Sequence, residues 1–103
     1  MSCLNNLARE VVEKYNLSHS PEIRFIDLAS EVGELGKELL KATNYGKTPS
    51  QPNINIASEI GDILFSLTCI ANAFDIDIAD ALLAATNKYH ARFAISGTVG
   101  SDI

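Results

Sequence analysis

Two short segments of this chain repeat the same arrangement of acidic residues within apolar sequence. Residues 29–35 read Ala-Ser-Glu-Val-Gly-Glu-Leu, and 28 residues later residues 57–63 read Ala-Ser-Glu-Ile-Gly-Asp-Ile. In each copy two carboxylates are three residues apart, a spacing that puts both on one face of a helix. A single pair of this kind is most often a solvated helix face, but two matched copies favour the two halves of a cation site.

Helical wheels place the acids of both copies at the edge of an apolar stripe. Glu31 and Glu34 border the first stripe, and Glu59 and Asp62 border the second. If the stripes pack together, the four carboxylates converge at the margin of the core, where like charges repel and raise each other's pKa. A divalent cation would remove this cost. Because the ligands are all oxygen, with no His or Cys in either copy, Mg²⁺ or Mn²⁺ is favoured over zinc or copper.

Each copy also keeps a glycine at the same place, Gly33 in the first and Gly61 in the second. A glycine inside a helix costs roughly 1 kcal/mol relative to alanine. The matched positions predict that a neighbouring helix backbone approaches closely at both.

The elements that must position these acids are predicted to be helices, because apolar residues recur at helical spacing along the chain. The predicted helices run from residue 3 to 16, from an N-cap at Ser20 to residue 43, from a cap at Asn53 or Asn55 to residue 74, and from a cap at Asp77 to residue 93. Gly and two Pro mark residues 44–52 as a loop. The sequence therefore predicts an all-α four-helix bundle formed by residues 1–95, with residues 96–103 as a flexible C-terminal tail.

Composition limits the class of protein. The chain has 103 residues, a net charge of -5, 47% hydrophobic residues and no Trp, so its core is aliphatic and small enough that a partner subunit would help. The acidic balance argues against binding a nucleic acid polymer. The N-terminal residues do not have the pattern of a signal peptide. The apolar stretch 60–74 is short and interrupted by polar residues, which argues against a membrane span. Cys3 and Cys69 do not have the spacing of a metal site. We expect a cytoplasmic protein with reduced thiols and no membrane association.

A basic pair lies on the last predicted helix. Lys88 and Arg92 are four residues apart, on one helix face, and could bind phosphate oxygens. On spacing alone, a cationic last turn that complements the helix dipole is the alternative interpretation.

Taken together, these motifs resemble the all-α nucleoside triphosphate pyrophosphohydrolases of the MazG family. Glu31-x-x-Glu34, then 24 residues, then Glu59-x-x-Asp62 resembles the paired acidic signature, and Lys-Tyr-x-x-Arg-Phe at 88–93 is similar to the Lys-Phe-x-x-Arg-Phe that follows it in MazG proteins. The resemblance covers residues 25–93. Two departures are Ser30, where many members have Glu, and the absence of the Trp found in the first helix of several members.

The resemblance implies a MazG-like protomer whose bundle is completed by dimerisation, as a homodimer or homotetramer. It implies Mg²⁺-dependent hydrolysis of an NTP or dNTP to the monophosphate and pyrophosphate, in nucleotide-pool housecleaning. Mn²⁺ could substitute for Mg²⁺. On this hypothesis the metal ligands are Glu31, Glu34, Glu59 and Asp62, Glu34 orients or deprotonates the attacking water, and Lys88 and Arg92 bind the phosphates.

Two alternatives stay open at this point. Phosphoribosyl-ATP pyrophosphohydrolase is a related helical enzyme of similar length with similar acidic motifs, and a non-catalytic helical oligomer could bind nucleotide or metal as a sensor. The base is also undetermined. It could stack on one of four aromatic residues that are otherwise core or loop packing: Phe25, Tyr45, Phe65 or Tyr89.

Overall fold

The computed structural model describes residues 1–51 and 54–97, and these form four α-helices with no strand among them. The helices are α1 (Cys3–Lys14), α2 (Pro21–Ala42), α3 (Ile54–Ala73) and α4 (Ile78–Ser96). The predicted all-α class is confirmed. Asn53, the first candidate for the cap of α3, and residues 98–103 of the predicted tail lie outside the described residues, whereas Asn55 lies inside α3 and is not its cap.

The starts of α2 and α4 follow from side-chain caps that the sequence predicts. The Ser20 hydroxyl accepts a hydrogen bond from the Ile23 amide at 3.3 Å, and Pro21 occupies the first helical position, where no amide hydrogen is needed. The Asp77 carboxylate accepts a hydrogen bond from the Asp80 amide at 3.0 Å. Both predicted caps are confirmed.

Two predicted helix ends differ from the structure. The first helix ends at Lys14, two residues earlier than predicted, and Asn16 beyond it has a positive φ of 54° that no helix accommodates. The last helix continues to Ser96, three residues further than predicted, and stops where Gly97 adopts the left-handed conformation with φ 75°. Glycine adopts this conformation without the steric penalty that other residues incur.

Helix packing centres on α3. The most extensive contact is between α2 and α3, α1 packs on α3 less extensively, and α4 makes few contacts, mainly with α1. Since α2 carries the first acidic motif and α3 carries the second, the α2–α3 contact is the one that brings the two motifs together.

Little of the apolar surface is covered within one chain. Among the described residues, Ala8 and Ala71 are the buried apolar side chains, whereas Val32 of the first predicted stripe is 52% exposed and Leu67 of the second is 42% exposed. The predicted aliphatic stripes therefore exist, but one chain leaves them partly open to solvent.

The glycines of the two acidic motifs do not lie against a neighbouring helix. A Cβ added at Gly33 or Gly61 would meet no described atom within 4 Å, apart from the flanking residues and the local helix backbone. The predicted close approach is therefore wrong within one chain.

The length of α3 also bears on the membrane prediction. By length and composition alone the 20 residues of α3 are enough to cross a bilayer, whereas the sequence prediction considered only the shorter apolar stretch 60–74. The helix that packs at the centre of a soluble protein meets the same criterion. The absence of a membrane therefore stays a prediction.

The buried side-chain amide of Asn5 connects α1 to the turn between α3 and α4 through hydrogen bonds. The Asn5 side chain is fully buried; it donates to Asn72 Oδ1 at 2.7 Å and to the Ile76 carbonyl at 2.8 Å. Its oxygen accepts from the Ile78 amide at 2.9 Å and from the Ser2 hydroxyl at 2.6 Å. All four hydrogen-bonding positions of this amide are thus occupied, which is how a buried polar side chain avoids a desolvation penalty.

We expect Asn5→Ala to destabilise the protein by about 3 kcal/mol, because it leaves several buried partners without a hydrogen bond. Chemical denaturation followed by far-UV circular dichroism measures the change. The matched control is Asn6→Ala, an exposed neighbour on the same helix, for which we expect a change within about 0.5 kcal/mol. Equal stabilities of the two variants would show that the buried network contributes nothing.

Candidate metal centre

Three of the four predicted ligands come together between α2 and α3. Carboxylate oxygens of Glu31, Glu59 and Asp62 all lie within 4.8 Å of one another. Glu31 comes from α2, and Glu59 and Asp62 come from successive positions on one face of α3. Glu31 and Glu59 are half-buried, whereas Asp62 is exposed, so the cluster opens to solvent on one side.

Glu59 is the electrostatically strained member of the cluster. Its Oε2 atom is buried and has no hydrogen-bond partner among the described residues. The pKa of Glu59 is raised to about 6, first by hydrogen bonding with the Glu31 carboxyl, then by desolvation, and then by the charges of Glu31, Asp62 and Glu34. Two ionised carboxylates have no proton between them, so one must retain a proton before this hydrogen bond can form. The shift therefore measures how costly it is to ionise both.

The cluster fits a hard divalent cation. It offers three carboxylate oxygens, one of them buried and unpaired, and no imidazole or thiolate belongs to it. Mg²⁺ and Mn²⁺ prefer oxygen ligands, and a cation here would give Glu59 Oε2 the partner that it lacks.

Glu34 lies outside the group of three. Its carboxylate is exposed and forms an ion pair with Lys37 of the same helix at 3.7 Å. A pair of this kind on a helix surface contributes only a few tenths of a kcal/mol, so it holds Glu34 weakly. Glu34 is still close enough for its charge to raise the pKa of Glu59, which places it at the edge of the centre.

The basic pair is not joined to the carboxylates within the described part of the chain. Lys88 and Arg92 lie on α4, which packs mainly on α1. The Lys88 ammonium lies 5.5 Å from the ring centroid of its neighbour Tyr89, and neither basic residue forms an ion pair with a described acid. One chain alone therefore assembles the carboxylate cluster without these two residues.

The aromatic candidates for base stacking are spread over separate parts of the fold. Phe25, Tyr45 and Tyr89 are exposed, whereas Phe65 is half-buried. The Arg24 guanidinium lies 5.4 Å from the Phe65 ring centroid, so it already covers part of the ring on which a base would stack.

The chain is an all-α protein with paired carboxylates on two packed helices, and the comparisons with known proteins identify its family. The family model described as the MazG nucleotide pyrophosphohydrolase domain matches residues 20–94. The chain belongs to this family and is therefore a nucleotide pyrophosphohydrolase. The predicted family and enzyme class are confirmed.

A solved structure is similar over most of both chains. It is the crystal structure of the Bacillus-conserved MazG protein, a nucleotide pyrophosphohydrolase, with 28% sequence identity and a TM-score of 0.65. The match covers 86% of this chain and 90% of the Bacillus chain. No curated protein matches this chain.

The raised pKa of Glu59 predicts how the stability of the metal-free protein depends on pH. Since its pKa is raised from 4.5 to about 6 on folding, the unfolded chain loses this proton first as the pH rises. Below pH 4.5 Glu59 is protonated in both states and does not lower the free energy of unfolding. Between pH 4.5 and about 6 its ionisation lowers the free energy of unfolding progressively, and above that range the loss of stability is complete.

We expect Glu59→Gln to be more stable than wild type in the presence of a chelator at neutral pH, and equally stable in acid, where Glu59 is neutral in both states. Thermal denaturation across this pH range measures the difference. Glu10→Gln, which removes an exposed acid on α1, is the matched control and should show no such pH-dependent gain. A Glu59→Gln advantage that is constant with pH would contradict the assignment to Glu59 ionisation.

Proposed function

We propose that this protein hydrolyses nucleoside triphosphates, NTP or dNTP, between the α and β phosphates in a Mg²⁺-dependent reaction. The products are the monophosphate and pyrophosphate, and the role is housecleaning of the cytoplasmic nucleotide pool. The observation that carries the proposal is the convergence of Glu31, Glu59 and Asp62 around a buried carboxylate oxygen without a partner. Membership of the MazG family supplies the reaction class.

The metal site consists of Glu31, Glu59 and Asp62, with Glu34 as the fourth ligand from the edge of the centre. A bound Mg²⁺ supplies neutralisation of the triphosphate charge and a water of lowered pKa. Mn²⁺ has the same preference for oxygen ligands and could replace it. The half-buried position of Glu59 fixes the inner side of the site, and the exposed Asp62 leaves room for the substrate phosphates.

Glu34 is our candidate for the residue that orients or deprotonates the attacking water. It is exposed and held only by a weak surface pair with Lys37, so its carboxylate can accept a hydrogen bond from a water beside the cluster. Lys88 and Arg92 offset negative charge on the phosphates. Since α4 makes few contacts with its own chain, this pair reaches the substrate when α4 packs within an oligomer.

The substrate assay tests both the activity and the site. We expect purified wild type to release pyrophosphate from members of an NTP and dNTP panel with Mg²⁺, and Glu59→Gln to lower kcat/KM by roughly 100-fold, which is at the upper end of the loss caused by weakening a metal site. Glu22→Gln, an exposed acid of the same helix as Glu31, should retain activity.

The outcomes separate the alternatives. Turnover of phosphoribosyl-ATP alone would replace the proposed substrate class with that of histidine biosynthesis. Tight Mg²⁺–nucleotide binding without release of pyrophosphate would support a sensor instead, and a fully active Glu59→Gln would remove Glu59 from the site.

We also propose that the protein is a homodimer or homotetramer. An apolar groove of about 280 Å³ lies between α1 and α3. Its lining is almost wholly apolar: Leu4, Leu7, Ala8, Val11, Gly61, Leu64, Phe65 and Thr68. A helix of a second copy seated in this groove would cover the partly exposed stripe of α3, and Gly61 would allow its backbone to approach.

Leu64→Glu tests the groove as the subunit interface, because it places a charge where a partner would have to desolvate it. We expect wild type to elute as a dimer or tetramer and Leu64→Glu to elute as a monomer, measured by size-exclusion chromatography with light scattering. Ile23→Glu is the matched control on another exposed surface, since Ile23 is 46% exposed and lies outside the groove. A monomeric wild type would refute the oligomer, and dissociation by both variants alike would refute this interface.

A further inference from the structure

A second cavity, remote from the carboxylates, is rich in hydrogen-bond donors. Its volume is about 230 Å³, and it lies where α1, the turn that follows it, the first turns of α2 and the end of α3 meet. Its polar lining consists of Arg9, Glu13, Ser18, His19, Arg24 and Asn72. None of these residues belongs to the acidic motifs or to the basic pair of α4.

Arg24 is the buried charge of this cavity. The residue is 7% exposed, and its guanidinium donates to the Leu17 carbonyl and lies against the Phe65 ring. The nearest carboxylate is that of Asp27, at 3.9 Å and half-exposed. A guanidinium has five N–H donors, and these contacts use only part of them. A buried cation with a single long ion pair is poorly compensated, and an anion in the cavity would complete its pairing.

Arg9 provides a second guanidinium from the opposite helix. Its Nη2 donates to Asn72 Oδ1 at 3.4 Å, and Asn72 is itself fixed by hydrogen bonds with the buried Asn5. Arg9 forms no ion pair with any acid in the described part of the chain. The amide network that anchors α1 thus also orients one side of the cavity.

Charge and size together select the ligand. The lining carries two arginines and one glutamate, Glu13, while Asp27, outside the lining, approaches Arg24 only at 3.9 Å. The lining itself therefore has a net positive charge, in a chain whose net charge is -5. The cavity volume of 230 Å³ is below the range of roughly 300–1,000 Å³ that takes a drug-sized molecule. We propose that this cavity binds inorganic phosphate or pyrophosphate through Arg9 and Arg24.

This site is separate from the metal centre. Arg24 precedes Glu31 by seven residues on α2, which is roughly 10 Å along a helix, and Asn72 follows Glu59 by thirteen residues on α3, or roughly 20 Å. The proposal therefore goes beyond hydrolysis and can be tested without it.

The test is isothermal titration of the full chain in a chelator, where the carboxylate cluster has no metal through which to hold a phosphate. The probes are orthophosphate, pyrophosphate and a nucleoside monophosphate, in separate titrations. We expect saturable binding of at least one inorganic probe, and a loss of about tenfold or more for Arg9→Gln, consistent with removal of one hydrogen bond to a charged group.

Lys47→Gln is the matched control, because it removes the same charge from an exposed position in the loop after α2 and should change the affinity by no more than about twofold, as expected for a screened, distant charge. The unfolding temperature of Arg9→Gln without phosphate verifies that the variant is folded. An equal loss in both variants would indicate diffuse attraction and overturn the site. A failure of both inorganic probes to bind saturably would also overturn the site. This includes the case in which only the monophosphate binds, because the protein would then recognise more than the phosphate group.

Discussion

The buried Asn5 amide is the contact on which the arrangement of α1 depends. The contact of α1 with α3 is less extensive than that between α2 and α3, and Ala8 is the one apolar side chain that α1 buries. Four hydrogen bonds from one side chain provide directional attachment that a small apolar contact cannot. The same network fixes Asn72, which accepts a hydrogen bond from Arg9, so the residues that anchor α1 also contact the proposed phosphate site.

The carboxylate cluster imposes an electrostatic cost on the folded chain. Packing α2 on α3 brings Glu31 against Glu59, and the pKa of Glu59 rises first through hydrogen bonding with the Glu31 carboxyl, then through desolvation, and then through the charges of the neighbouring acids. Helix packing that hydrophobic burial favours thus produces an arrangement of like charges that protonation or a cation would relieve. This is the relation expected when a site is built for a ligand rather than for stability.

The open apolar surface connects the fold to assembly. Side chains such as Val32 and Leu67 have the spacing of core residues yet remain about half exposed, and α4 is attached mainly to α1. A short chain buries a limited fraction of its surface, and association offers a way to cover the remainder. On our proposal, the subunit interface would also determine where Lys88 and Arg92 lie relative to the carboxylates.

The sequence by itself determined the local features of this protein. Caps at Ser20 and Asp77 fixed two helix starts to the residue, because capping is decided within four residues of chain. The spacing of four acids along apolar stripes predicted that they would meet, because periodicity fixes the face of a helix on which a residue lies. Three of the four, Glu31, Glu59 and Asp62, lie together in the structure.

Only the tertiary structure decided the features that depend on how the helices rotate and contact one another. It left Glu34 at the edge of the carboxylate cluster, left Gly33 and Gly61 open, and buried Asn5 completely. It also assembled Arg9 and Arg24 into one cavity from separate elements. No spacing in the sequence could have indicated these outcomes, since an apolar stripe specifies which face packs but not which side chains lose their water or find a partner.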